Sequence, residues 1–198
     1  MAGSEFRIVP AHTVPFADVE AVFGTRGDPA TCWCQWFKIP GSDWRESVPE
    51  LRARLADQVA DASTDPGLIA YDGDAPVGWV AIEPRSRLPR LRTSRIVADG
   101  SAQPDLDDDG VWALTCFVVP RAHRRRGVAG GLARAAVEHA AAHGARVVEG
   151  YAIDPSAKSK ASAAELYVGT VSMFVGAGFD VVARPTATRV VMQRRLGG

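Results

Sequence analysis

Nine residues, VWALTCFVV from Val111 to Val119, lead through Pro120-Arg121-Ala122 into an arginine- and glycine-rich loop, HRRRG, and then into an alanine-rich helical stretch that closes at His143. A strand that feeds such a loop sets the start of the following helix at the end of the strand. The first amides of that helix have no intrahelical acceptor, and the helix dipole adds partial positive charge at the same place. An anion, most often a phosphate, is the natural occupant. This one run therefore points to an α/β architecture built around a phosphate-bearing ligand.

The loop excludes two common phosphate binders. No Lys-Ser or Lys-Thr follows the glycines, as a nucleotide triphosphatase loop requires. A dinucleotide fold needs G-x-G-x-x-G with an acid at the end of the next strand; Glu149 falls near that place, but Val128 and Ala129 interrupt the spacing of Gly127, Gly130 and Gly131. The run instead resembles the acyl-coenzyme A pyrophosphate loop of the GNAT superfamily of N-acetyltransferases. That signature is Arg or Gln, two residues, Gly, one residue, then Gly or Ala, and Arg124, Gly127 and Ala129 fill it. The resemblance continues through the strand before it, the helix with Gly144 just past its end, the strand from Arg146 to Ala152, and the closing SMFVGAGFDVVARPTATRVVMQRRL. There Gly178-Phe179 makes the turn into strands at Asp180 to Val182 and Arg189 to Arg194. It implies one α/β (α+β) domain over residues 1–198, a mixed central sheet of about seven strands flanked by about four helices.

The N-terminal half fits as a succession of elements. Phe6 to Val9 reads as a strand and Phe16 to Phe23 as a short helix. A second helix runs from Val48 to Ala62, with Ser47 and Glu50 spaced as a capping box. Gly67 to Tyr71 and Val77 to Ile82 flank Asp72-Gly73-Asp74 as a hairpin. The stretch from Pro84 to Gly110 reads as a long polar connection, and its Arg85, Arg87, Arg90, Arg92 and Arg95 as a solvated cluster. Ser156 to Ala164 reads as a solvated loop before a last short helix capped by Thr170. Gly3-Ser4-Glu5-Phe6 matches what two adjacent cloning sites encode, so the first few positions are expected to come from cloning rather than from the protein itself.

Charge narrows the partners. With 23 basic and 23 acidic residues, nothing favours nucleic acid over a small molecule. No apolar run reaches the roughly 20 residues of a membrane span and no leader is visible, so a cytoplasmic protein without membrane attachment is expected. Three cysteines, Cys32, Cys34 and Cys116, fit buried reduced thiols. His12, His123, His139 and His143 are scattered, and no metal is expected. Asp105 to Gly110 opens like a calcium loop, but the twelfth position is Cys116.

The resemblance assigns roles. Acetyl-coenzyme A is the implied donor, its pyrophosphate held by Arg124, Arg125, Arg126, Gly127, Val128, Ala129 and Gly130. The strand from Ala113 to Val119 would carry a bulge and splay from the strand Arg146 to Ala152, turning main-chain groups near Phe117, Val118 and Val119 to the thioester. Glu149 and Glu83 are the candidates for taking the amine proton. Many relatives carry a tyrosine four residues before the Gly of the Gly-Phe turn, where this chain has Phe174; Tyr167, Ser172, Tyr151 or water would then protonate the thiolate. Trp33, Trp36, Phe37 and Trp44 either wall an acceptor pocket or pack as core. The expected activity is transfer of acetyl to a small-molecule primary amine by direct attack in a ternary complex. Cys116 as a covalent acyl carrier is a lesser alternative. A coenzyme-binding sensor without turnover and an antibiotic self-resistance enzyme stay open, as does a homodimer.

Overall fold

A computed structural model describes residues 6–63, 65–157 and 166–197. In chain order the elements are β1 (Arg7–Pro10), α1 (Phe16–Phe23), α2 (Pro29–Cys32), α3 (Val48–Ala60), β2 (Gly67–Asp72), β3 (Ala75–Pro84), α4 (Pro89–Arg92), α5 (Arg95–Ala98), β4 (Val111–Val118), α6 (Val128–Ala142), β5 (Val147–Ile153), α7 (Val171–Gly176), β6 (Asp180–Ala183) and β7 (Arg189–Arg195). The seven strands form one sheet in the order β1-β2-β3-β4-β5-β7-β6. β4 and β5 pair in parallel and every other neighbouring pair is antiparallel. A parallel pair needs a crossover long enough to return the chain, and α6 supplies it. This is the mixed α/β sheet that the sequence pattern predicts. No helix among the described residues is long and apolar enough to cross a membrane.

Alternation along the strands splits the core between the two faces of the sheet. On one face α6 presents Leu132, Ala133, Ala136 and Ala140 to Val80, Leu114, Val148 and Ala152, and Phe174 and Phe179 extend that layer. On the other, α1 and α3 bury Val19, Phe23, Leu51 and Leu55 against Ile69, Trp79 and Ala81. Glu50 reaches back to accept from the Ser47 amide at 2.6 Å, holding the first turn of α3.

Between β3 and β4 the expected polar connection is a third patch of core. Leu88, Leu91 and Val97, on and beside the single-turn helices α4 and α5, pack on Ala113, Tyr151 and Val191. Arg85, expected in solvent, is 1% exposed. Its neighbourhood escapes sequence reading because one-turn helices carry too few apolar residues to show a period. The histidines are also not scattered: His12, His139 and His143 gather around Asp65.

Phe174 lies fully buried, edge-on to Phe117 and Phe179. Its ring occupies the space a side chain at position 150 would need, since a Cβ on Gly150 would come within 2.3 Å of it. Gly150→Ala is expected to destabilise by about 1–3 kcal/mol through overpacking, read as a lower urea midpoint with unchanged slope.

Candidate active site

The loop between β4 and α6 is shaped to expose its amides. Arg125 and Gly127 both sit in the left-handed region, at φ 60° and 87°. Left-handed residues interspersed in such a turn aim successive N–H groups at one concavity. The amides of Arg125, Arg126 and Gly127 make no hydrogen bond among the described residues, and the first helical bond runs from the Gly131 amide to the Gly127 carbonyl at 2.9 Å. Those of Val128, Ala129 and Gly130 therefore also lack helical acceptors. A Cβ on Gly127 would meet nothing within 4 Å, so glycine is needed there for its φ and leaves the concavity open.

Side chains anchor the loop. Arg124 Nε donates to the Val119 carbonyl at 2.9 Å, tying the loop to the end of β4. Arg126 is held by Asp72 at 2.6 Å. The Arg125 guanidinium is exposed and makes no ion pair among the described residues. Val128, by contrast, turns its side chain into the core at 2% exposure, so only its amide is available to the loop.

β4 leaves its neighbours where the loop begins. Ala81 pairs with Cys116 and Ile82 with Leu114, which makes Thr115 an extra residue, a bulge. Regular alternation would send Thr115 and Cys116 to opposite faces; the bulge brings both onto one cavity. Pairing of β4 with β5 stops at Leu114 and Gly150. Into the gap comes the 166–170 segment, whose Tyr167 carbonyl accepts from the Phe117 amide at 2.6 Å. The Phe117 amide is thus taken, which corrects its expected role as a donor to ligand. Val119, two residues on and facing the same way, makes no amide hydrogen bond among the described residues. The side chain of Val118 lies on the opposite side, towards the larger of two cavities.

The smaller cavity, about 200 Å³, is a cleft lined by Phe117, Val119, Arg124, Ala129, Tyr167, Thr170 and Met173. The larger, about 770 Å³, is lined by Phe23, Asp28, Cys32, Cys34, Trp36, Phe37, Trp44, Thr115, Cys116 and Arg189, among others. Tyr167 borders both. Burial, reinforced by the Asp28 charge, raises the Tyr167 pKa above its ordinary value, so the phenol keeps its proton through neutral pH. Asp28 supplies the only carboxylate lining the larger cavity among the described residues, and it makes no cap bond to α2. Sequence reading missed it, because Gly27-Asp28-Pro29 looks like an ordinary turn into a helix.

The aromatic stretch divides. Trp36 and Phe37 line the larger cavity, with Trp44 set edge-on to Trp36 at 5.3 Å and Arg90 lying 3.7 Å over the Trp36 ring. Trp33 is corrected: it is 5% exposed and stacks on Phe23 at 5.2 Å inside the core. A left-handed turn at Trp33 and Cys34, φ 46° and 57°, swings that ring inward. The thiols stay protonated. Burial, with Cys34 alongside, pushes Cys32 up to about 11, and a hydrogen bond to Cys34 together with burial holds Cys116 well above its usual value. Inert thiols argue against a covalent acyl carrier.

Neither expected base faces either cavity of the cleft. Glu149 is fully buried on the α5 side of the sheet, where it accepts from Arg85 (2.8 Å), Ser101 (2.5 Å), Tyr151 (3.0 Å) and Gln193 (2.5 Å). Alternation sends its side chain away from the face of Val148 and Ala152. Glu83 pairs with Lys38 at 2.6 Å in a third, polar cavity of about 330 Å³. Burial raises its pKa while Lys38 opposes the shift. Ser172 is exposed on α7, 3.2 Å from the Thr170 hydroxyl, and lines neither cavity. Tyr151 is buried with Glu149, out of reach of the cleft.

The model of the acetyltransferase (GNAT) family matches residues 33–167. No curated protein sequence matches. Solved structures share the fold: a GCN5-related N-acetyltransferase from Kribbella flavida is 17% identical with a TM-score of 0.55, covering 97% of this chain and 98% of that one. The ribosomal-protein-alanine N-acetyltransferase from Brucella melitensis is 15% identical at TM-score 0.54, covering 96% and 99%. Ard1 from Thermoplasma volcanium is 12% identical at TM-score 0.51, covering 98% and 99%.

Proposed function

The chain belongs to the acetyltransferase (GNAT) family and is an acyltransferase, and from that premise we propose that it moves acetyl from acetyl-coenzyme A to a primary amine of a small molecule by direct attack in a ternary complex. The observation that carries this reading is the meeting of two cavities at Tyr167, one running to the amide-lined loop and the other holding Asp28 and the aromatic wall.

The residues fit the donor. The amides of Arg125 to Gly130 and the dipole of α6 suit a diphosphate, and the apolar cleft lined by Phe117, Val119, Ala129 and Met173 suits an extended arm. Bound acetyl-coenzyme A supplies an activated acyl group on a thiol leaving group. The Val119 amide donates to the negative charge that develops on the acyl oxygen as the amine attacks, a contribution of about 3 kcal/mol for one preorganised donor. Tyr167, protonated at neutral pH, donates to the departing thiolate. Asp28 attracts the ammonium of the acceptor to the cavity mouth, and its charge or a water then takes the proton. Trp36, Phe37 and Trp44 exclude water around the acceptor and favour an apolar or flat body behind its amine.

Two measurements test this. Calorimetric titration with acetyl-coenzyme A is expected to give saturable binding, weakened roughly tenfold in Gly127→Val, because a β-branched residue at that φ costs about 1–3 kcal/mol. Thiol release across a panel of small amines is expected to depend on acceptor. Absence of both binding and release overturns the reading. Tight binding without amine-dependent release would identify a coenzyme sensor, for which Phe174 in place of a tyrosine is the supporting feature.

A further inference from the structure

We propose that Asp65, His139 and His143 form a site for a divalent transition-metal ion, with zinc as the test ion, at the end of α6 remote from the loop. One ligand atom from each lies within 4.8 Å of the others. His139 and His143 are four residues apart at the C-terminal end of α6, a spacing that puts two imidazoles on one side of a helix. Their rings are 4.2 Å apart, and Trp112 walls both at 6.0 and 5.9 Å.

The independent indication lies in the hydrogen bonds. His139 Nε2 and Asp65 Oδ2 are 3.0 Å apart, on side chains only 7% and 10% exposed. They are nevertheless misaligned, and each is left without a hydrogen-bond partner. Buried polar atoms pay for such an arrangement unless something else satisfies them. An ion about 2.0–2.1 Å from each would see them at roughly 90–95°, an angle that metal coordination accepts.

The surroundings have the form expected of ligand support. The His143 Nδ1–H donates to the His139 carbonyl at 2.8 Å, which leaves Nε2 as its free donor atom. His12 Nδ1 contacts the other Asp65 oxygen at 3.0 Å, orienting the carboxylate. Two imidazoles and one carboxylate are ligands that zinc and its neighbours accept, with a position left for water. The site sits about 20 Å along α6 from the anion loop, from the 1.5 Å rise per residue. It would pin the turn before β2 to the end of α6, a structural clip independent of the acetyltransferase reading.

The test uses tag-free protein stripped of metal and dialysed against zinc, with bound metal counted by mass spectrometry. One equivalent is expected, accompanied by a rise of several degrees in the thermal midpoint. His143→Ala, at an exposed position that spares the fold, is expected to abolish retention. His12→Ala should weaken it about 10–100-fold, the range seen for partners of metal ligands. His123→Ala, a histidine outside the cluster, should leave it unchanged. Cobalt substitution is expected to give a visible absorption band that is lost with His143→Ala. Retention below a tenth of an equivalent in the parent protein, or one equivalent retained in His143→Ala, overturns the site.

Discussion

Glu149→Ala is expected to lower the unfolding free energy by about 3–5 kcal/mol, the cost of leaving one partner of a buried ion pair alone. The residue left behind is Arg85, 1% exposed, with its Nη1 facing an empty space and only Ser101 and two main-chain carbonyls, of Gln103 and Asp105, to accept from it. The loss is a large share of the 5–15 kcal/mol typical of a domain, so chemical denaturation should show it as a clear fall in midpoint. Glu149→Met combined with Arg85→Met should recover most of it, because desolvating the pair costs about what its attraction returns. Glu149→Gln, with the fraction folded held equal, should keep the acetylation rate within a few-fold at every pH. A large rate loss in the folded variant would instead return Glu149 to the chemistry.

Tyr167→Phe is expected to reduce kcat by about 10²–10⁴, the usual contribution of a placed proton donor, with little change in KM for acetyl-coenzyme A. The contrast is sharp because the Tyr167 main chain keeps its hydrogen bond to Phe117 in the variant, so the segment stays in place. Sign follows from the pKa. Burial raises the Tyr167 phenol above its ordinary value near 10, so the acid form persists across neutral pH and the parent rate should not fall from this group until the medium is strongly alkaline. That alkaline limb should vanish in Tyr167→Phe. A rate within threefold of the parent would place the proton source elsewhere, in water. Phe174 is not an alternative place to add the acid: the tip of its ring abuts Gly150, and a hydroxyl there would be driven into β5.

The sequence pointed to the loop proposed to hold the donor far better than to the cavity proposed for the acceptor. Arg124, Gly127 and Ala129 lie within six residues, and the strand and helix that frame them are adjacent in the chain, so local pattern carries the geometry. The bulge at Thr115 came only through family resemblance, since its side chains read as an ordinary strand. The larger cavity, where we propose the acceptor binds, draws on α2, the stretch around Trp36, α5, β4 and Arg189, which no local rule brings together. Trp33 and Trp36 show the limit: three residues apart in one aromatic run, one is core and the other wall, and a left-handed turn between them makes the difference.

Sequence alone indicated the order of the strands and of the longer helices and the family, and it singled out the loop before α6, because hydrophobic period, turn chemistry and helix termini are properties of neighbouring residues. Only the folded chain decided that Glu149 is neutralised by Arg85, that Tyr167 stands between two cavities, and that Asp65 meets three histidines. These partners lie up to 131 positions apart or less regularly spaced than any periodicity, as the span from His12 to His143 shows. What joins them is burial: once the sheet closes, each charged group must find its counterpart among whatever the packing has brought near.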